Sequence, residues 1–174
     1  MTHHSFYSRH NGFTIIEVLV SLLVISVGLL GMAGLQTVGI QQSHKSYLKT
    51  QASLLAFDMA DRMRANLVGV AAGAYNAVNS VDSLVETIPA CIGSETPCSA
   101  ADTASYDAYQ WSNLASNLSI PSTLPGGQGI ITRNGTGIFT ITVFWDEART
   151  GATGTNCSND PAVDLACFSL EFQP

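Results

Sequence analysis

Residues 12–35 read GFTIIEVLVSLLVISVGLLGMAGL, and this stretch decides the fold. From Phe13 to Leu35 it is a 23-residue run broken by a single charge, Glu17. About 20 mainly apolar residues are enough to cross the hydrocarbon core of a bilayer as a helix. The run is too long for the apolar core of a secretory signal peptide, and no A-x-A-like cleavage pattern follows it. The expectation is a span that stays in the mature protein. Residues 1–12, MTHHSFYSRHNG, are polar by contrast and carry Arg9 and three of the four histidines.

Outward from this run, Gly28, Gly31, Gly34 and Gly39 continue along the same helix. Each costs roughly 1 kcal/mol of helix propensity relative to alanine. Close packing of helix backbones in a membrane offsets such a cost. From Gln36 the pattern turns amphipathic. Leu48, Ala52, Leu55, Met59, Met63 and Leu67 recur at steps of three and four, while Lys45, Lys49, Asp58, Asp61, Arg62 and Arg64 fall on other faces. Asp58 and Arg62 stand at i, i+4 with the acid first, a helix-favouring order. No proline interrupts residues 13–68, and Gly69 is a natural stop. The spacing predicts one helix over 13–68, roughly 80 Å long. The remaining residues, 69–174, cannot bury it, so its first half needs lipid or other subunits as cover.

Residues 69–100, rich in Gly, Ala, Ser, Asn and Val, read as a loop-rich connection. Residues 101–118 read as a short helix with Ala108, Trp111, Ala115 and Leu118 on one stripe. A small antiparallel sheet follows. Ile130–Arg133 is its first strand, Asn134-Gly135 a hairpin signal, and Ile138–Asp146 the second strand. In the second strand Phe139, Ile141, Val143 and Trp145 face one way, and Thr140 and Thr142 the other. After a polar loop, Phe168, Leu170 and Phe172 alternate in a last strand. The fold class is α+β: a long N-terminal helix with a membrane-spanning first half (13–35), then a small domain over 69–174 that holds an antiparallel sheet.

The net charge is −6, and residues 67–174 carry ten acidic residues against two arginines and no lysine. Such a domain is a poor holder of a phosphate backbone, so no nucleic-acid partner is expected. Cys91, Cys98, Cys157 and Cys167 are even in number and lie in the C-terminal half. In a chain that crosses a membrane they read as two disulfides in an oxidising compartment. Three pairings are open, and sequence neighbours favour Cys91–Cys98 and Cys157–Cys167. Zinc is disfavoured, because the six and nine intervening residues are unlike CxxC knuckles and no histidine lies near.

Signals for catalysis are weak. Beyond residue 12 only His44 remains to serve a nucleophile. The Pro125–Gly129 stretch is glycine-rich, but a strand follows it rather than the helix a phosphate site wants. Asp146 and Glu147 are adjacent in a strand, so they point to opposite faces. Asp61-Arg62-Met63-Arg64 reads as a solvated charged face with methionines in the core, the alternative being a docking patch. The expectation is a protein that is not an enzyme and needs no cofactor or metal.

Glu17 is the most informative residue. A carboxylate inside an apolar span costs a few kcal/mol and marks a function with a partner. A cut after Gly12 would make Phe13 the N-terminus and place an ammonium four residues from Glu17. Pairing with that ammonium, in the same chain or a neighbour, would remove the penalty, and pairing between chains would set their axial register. The alternative is a carboxylate near the membrane surface that reaches water.

The series Gly12-Phe13-Thr14-Ile15-Ile16-Glu17-Val18-Leu19 resembles the type IV prepilin signature: a short polar leader ending in Gly, then Phe, then Glu as fifth mature residue before a long apolar stretch. The resemblance implies that a prepilin peptidase cuts between Gly12 and Phe13 and N-methylates Phe13, and that Glu17 recruits the subunit into a filament. Ile16–Val20, Gly28-Leu29-Leu30-Gly31, Gly34-Leu35-Gln36, Asp61–Asn66 with Tyr75, and Ile141–Glu147 further resemble the minor pilin PilV family. That likeness implies a minor pilin that helps initiate pilus assembly near the tip. Its partners would be other minor pilins, the major pilin and a tip adhesin. Before assembly it would sit in the cytoplasmic membrane with residues 69–174 in the periplasm. The alternatives are a minor pseudopilin of a type II secretion system, which shares the N-terminal signature, and an adhesin or DNA-binding pilin subunit.

Overall fold

The computed structural model describes residues 12–76, 78–81, 87–112, 120–158 and 160–174. The expected leader, residues 1–12, therefore lies outside the described residues except for Gly12. The elements in order are α1 (Ile15–Ala65), α2 (Leu67–Ala71), α3 (Ala100–Ser112), α4 (Ile120–Thr123), β1 (Gln128–Arg133), β2 (Phe139–Trp145) and β3 (Ala166–Phe172). The fold is α+β, with a long N-terminal apolar helix followed by a small domain built on a three-stranded antiparallel sheet. The chain divides into two compact units, one ending at Ser43 and one beginning at His44.

In the first unit every described side chain is exposed. Its helical residues are long and apolar enough to cross a membrane, and none of that stretch is buried within the chain.

The second unit has one core. The last part of α1 contributes Leu48, Ala52, Leu55, Ala56, Met59, Ala60 and Met63, all buried. From α3 come Ala104, Ala108 and Trp111, and from β2 come Phe139, Ile141, Val143 and Trp145. The Trp111 indole N–H donates to the Leu55 carbonyl at 3.0 Å, which docks α3 on α1. Gly129 lets β1 approach this tryptophan, because a Cβ there would strike the Trp111 ring and Ile120. Ser99 and Asp102 start α3 with a reciprocal cap: Ser99 Oγ accepts from the Asp102 amide at 3.1 Å, and Asp102 Oδ2 accepts from the Ser99 amide at 3.2 Å.

The sheet order is β1-β2-β3. In its register Gln128 opposes Phe144 and Arg133 opposes Phe139, while Phe139 opposes Phe172 and Trp145 opposes Ala166. The alternation expected in β2 is present, but Phe144 on the other face is buried too.

Two expectations need correction. The long helix ends at Ala65, not at residue 68. Asn66 leaves the helix at φ −121°, and its side-chain oxygen accepts from the Gly69 amide at 3.1 Å, capping α2. The break rotates the chain, so Leu67 is exposed instead of continuing the buried stripe. Gly69 is no stop: it is buried inside α2, where a Cβ would meet the Asn66 side chain at 2.6 Å and the Ala100 carbonyl at 2.9 Å. The hairpin expected at Asn134-Gly135 joins β1 to β2. Residues 134–138 form a five-residue loop in which Asn134 Oδ1 accepts from the amides of Thr136 and Ile138, and positive φ falls on Gly137. The helix expected over 101–118 is described as Ala100–Ser112, and Ala115 and Leu118 lie outside the described residues.

Candidate functional site

The candidate site is the start of α1. Thr14 precedes the helix, and its Oγ1 accepts from the Glu17 amide at 3.4 Å while its carbonyl accepts from the same amide at 3.1 Å. The series Thr14-Ile15-Ile16-Glu17 is thus laid out as a capping box, with the acid in the first turn, where the helix dipole favours a negative charge. Gly12 and Phe13 sit just outside the helix and are exposed, Phe13 at 82%. Nothing described crowds Gly12.

Three hydroxyls of the first unit are satisfied by their own helix. The hydroxyls of Ser21, Ser26 and Thr37 donate to the carbonyls of Glu17, Leu22 and Ala33 at 2.8, 2.7 and 3.0 Å. A helix that meets its own hydrogen-bonding needs can face hydrocarbon. The Glu17 carboxylate has no partner among the described residues.

The segment Asp61-Arg62-Met63-Arg64 splits by face. Met59 and Met63 are wholly buried. Arg62 turns inward: its Nε donates to Asp58 Oδ2 at 2.8 Å, and its Nη1 donates to Gln110 Oε1 at 2.6 Å and to Asp107 Oδ1 at 3.3 Å. Asp107 Oδ2 accepts the Tyr75 hydroxyl at 2.6 Å, and Asn66 Nδ2 donates to that hydroxyl at 3.1 Å and to the Ala100 carbonyl at 2.8 Å. Burial alone would lower the Arg62 pKa, but the carboxylates of Asp58 and Asp107 outweigh it and raise it. Burial, then the bond to Asp107, pushes the Tyr75 hydroxyl well above the ordinary tyrosine range. The stretch serves to join α1, α2 and α3. Arg64 stays at the surface, paired with Asp61 at 2.7 Å and set over the Phe172 ring.

Both cysteine pairs form disulfides between sequence neighbours, Cys91–Cys98 with Cα atoms 5.2 Å apart and Cys157–Cys167 at 5.6 Å. The second ties the loop before β3 to that strand. Within the loop Asp164 is buried, and hydrogen bonds, first from Ser158 and then from the amide of Asn156, hold its carboxyl below the usual range. Asp146 accepts from the amides of Thr150 and Gly151, and Glu147 pairs with Lys45 at 3.0 Å, so the two adjacent acids have separate structural duties.

Residues 7–33 match the family model of the prokaryotic N-terminal methylation motif. Residues 34–109 match that of the type IV pilin Tt1218. Over these residues the chain is similar to type IV pilins. No curated protein and no solved structure matches it. The methylation motif covers Gly12, Phe13 and Glu17, and it implies processing by a prepilin peptidase and assembly with other pilins. The pilin match runs through the whole Arg62–Tyr75–Asp107 network and ends one residue before Gln110. The apolar first unit of this pilin-like chain fits both anchoring in a membrane and incorporation into a pilus.

Sequence reasoning passed over Asn66, Asp107 and Gln110 as working residues. A signal for Asp107 was present: it sits at helical spacing among Ala104, Ala108 and Trp111, an acid on an apolar stripe. Such a residue has to be paired.

Proposed function

We propose that the chain is a minor pilin of the PilV kind, cut between Gly12 and Phe13, N-methylated on Phe13, and drawn into a type IV pilus through Glu17. The observation that carries this reading is the Glu17 carboxylate, without a partner among the described residues, in the first turn of a helix whose Ser21, Ser26 and Thr37 hydroxyls are met internally. A neighbour's terminal ammonium is the complement such a group needs in an apolar setting. The two disulfides support a domain placed outside the cytoplasm, with the leader inside. Arg62, Asn66 and Tyr75, bonded into one network with Asp107, support the PilV assignment. With it come a place near the tip and a part in starting assembly beside other minor pilins, the major pilin and an adhesin.

Intact-mass measurement of the protein from its native membrane, without and with reductant, tests the processing. The expected species begins at Phe13, is one methyl group heavier, and gains four protons on reduction. An uncut chain with free thiols would overturn the reading. Deletion of the gene separates pilus from secretion roles: loss of pili is expected, and loss of secreted enzymes with pili intact would point to a pseudopilin.

A further inference from the structure

The two edges of the sheet are treated differently. Residues 78–80 cover the outer edge of β1: the Ile131 amide donates to the Val78 carbonyl and the Ser80 amide to the Gly129 carbonyl, both at 2.9 Å. Ser80 Oγ also accepts from the Gly129 amide at 2.7 Å. Strand β3 pairs with β2 over seven consecutive positions without a bulge, and among the described residues nothing pairs with its outer edge. The strand reads Ala-Cys-Phe-Ser-Leu-Glu-Phe, with no lysine, proline or glycine to block a further strand. Open edges of this length are normally protected, because their free N–H and C=O groups template pairing.

The core beneath this edge is also one strand short. Phe168 and Leu170 lie opposite Val143 and Ile141 on the face toward the core, yet they are only half-buried, whereas Val143 and Ile141 are fully covered. Beside Phe168 a groove of about 320 Å³ runs along α1, lined by Ser46, Lys49, Thr50 and Ser53. Lys49 also borders the adjoining cleft of about 400 Å³ next to Ala166 and Cys167. Lys45 is paired with Glu147, but the exposed Lys49 ammonium has no acceptor among the described residues.

We infer that the β3 edge is a docking site for an extended segment of a partner protein that carries an aspartate or glutamate over Lys49. A strand added about 4.8 Å from β3 continues the main-chain ladder. Its inward side chain beside Phe168 lies in the groove along α1, completes the burial of Phe168 and Leu170, and brings its carboxylate to Lys49. Backbone pairing supplies affinity, and the unmatched cation selects an acidic strand. The inference does not rest on the pilus reading, since it is argued from the β3 edge and Lys49, each without a partner among the described residues.

The test is photo-crosslinking of the full chain in its native cells, with benzoylphenylalanine in place of the exposed Ser169 and adducts mapped by mass spectrometry. The expected result is an adduct on one linear segment of another protein, with an acidic residue within about three positions of the linked one. Its yield should fall about tenfold in Lys49→Glu, the scale of one charge-assisted hydrogen bond, and return in Lys49→Arg. Reversing the partner's acid to lysine should rescue Lys49→Glu. Lys49 is exposed, so these variants keep the fold. Absence of an adduct, an adduct to β3 of a second copy, or a yield indifferent to Lys49→Glu would overturn the inference.

Discussion

The Tyr75 hydroxyl donates to Asp107 Oδ2 across 2.6 Å, joining the turn after α2 to the middle of α3. Tyr75 is fully buried, and the same carboxylate receives Arg62 on its other oxygen. One acid therefore holds a phenol and a guanidinium at once, and the three segments that carry these groups move only together.

The tyrosine end of this network predicts an alkaline limit. The Tyr75 pKa is raised in the folded state, by burial and then by Asp107. The stabilisation is fully present below the unfolded tyrosine value of about 10 and is lost as pH rises beyond it. Thermal melts of the full chain in detergent should fall in that range. Tyr75→Phe should cost about 1–2 kcal/mol at neutral pH through the lost hydrogen bond and should flatten the alkaline fall. An unchanged slope in the variant would remove Tyr75 as its source.

The arginine end predicts a larger loss. Arg62→Leu would leave Asp107 without its cation and Gln110 without its donor. Removing one partner of a fully buried pair costs about 3–5 kcal/mol. Arg62 and Asp107 retain 20% and 11% side-chain exposure, so about 2 kcal/mol is expected. Arg62→Lys keeps the charge but lacks the fork that reaches Asp58, Asp107 and Gln110 together, so it should recover less than half of the loss. Chemical denaturation of the three proteins measures both steps.

The disulfides should differ in consequence although they close similar loops, with sequence separations of 7 and 10. The chain-entropy model gives each about 2–3 kcal/mol. Cys91–Cys98 joins two points of one irregular segment, whereas Cys167 belongs to β3 and opposes Phe144 in the ladder. Changing Cys91 and Cys98 to serine should lower the melting temperature and leave amide exchange in the sheet unchanged. Changing Cys157 and Cys167 should also speed exchange in β3. Equal exchange in both variants would show that the second bond does not support the strand.

What the sequence made legible was local. Glu17 stood out because one charge interrupts an apolar run, and Asp58 and Arg62 stood out because i, i+4 spacing makes them neighbours in any helix. The end of α1 was misplaced because Leu67 keeps the helical step, and the cap signal of Asn66, a preferred N-cap type, was passed over. The hairpin was legible because Asn134-Gly135 lies between two runs of strand pattern, and β1 and β2 pair across it. The Asp107 network and the open β3 edge depend on elements more than 20 residues apart, and no local pattern carries that information.

Glu17 gives the sharpest division between processing and assembly. The proposed cut between Gly12 and Phe13 lies outside the helix, and Thr14 can cap α1 without the Glu17 side chain, since its oxygens accept from the Glu17 amide. Glu17→Ala should therefore be cut and methylated normally, while a large residue at position 12 should block cutting. Assembly should respond differently. An ion pair in an apolar environment is worth a few kcal/mol, so its loss should reduce incorporation into pili by about tenfold or more. Glu17→Gln keeps shape and hydrogen-bonding capacity without the charge, and it should incorporate poorly as well if a terminal ammonium is the partner. Immunoblots of sheared pili against membranes would read both steps in one experiment. A Gln variant that incorporates normally would mean that Glu17 acts through hydrogen bonding, and an Ala variant that does so would mean that it has no partner in the filament.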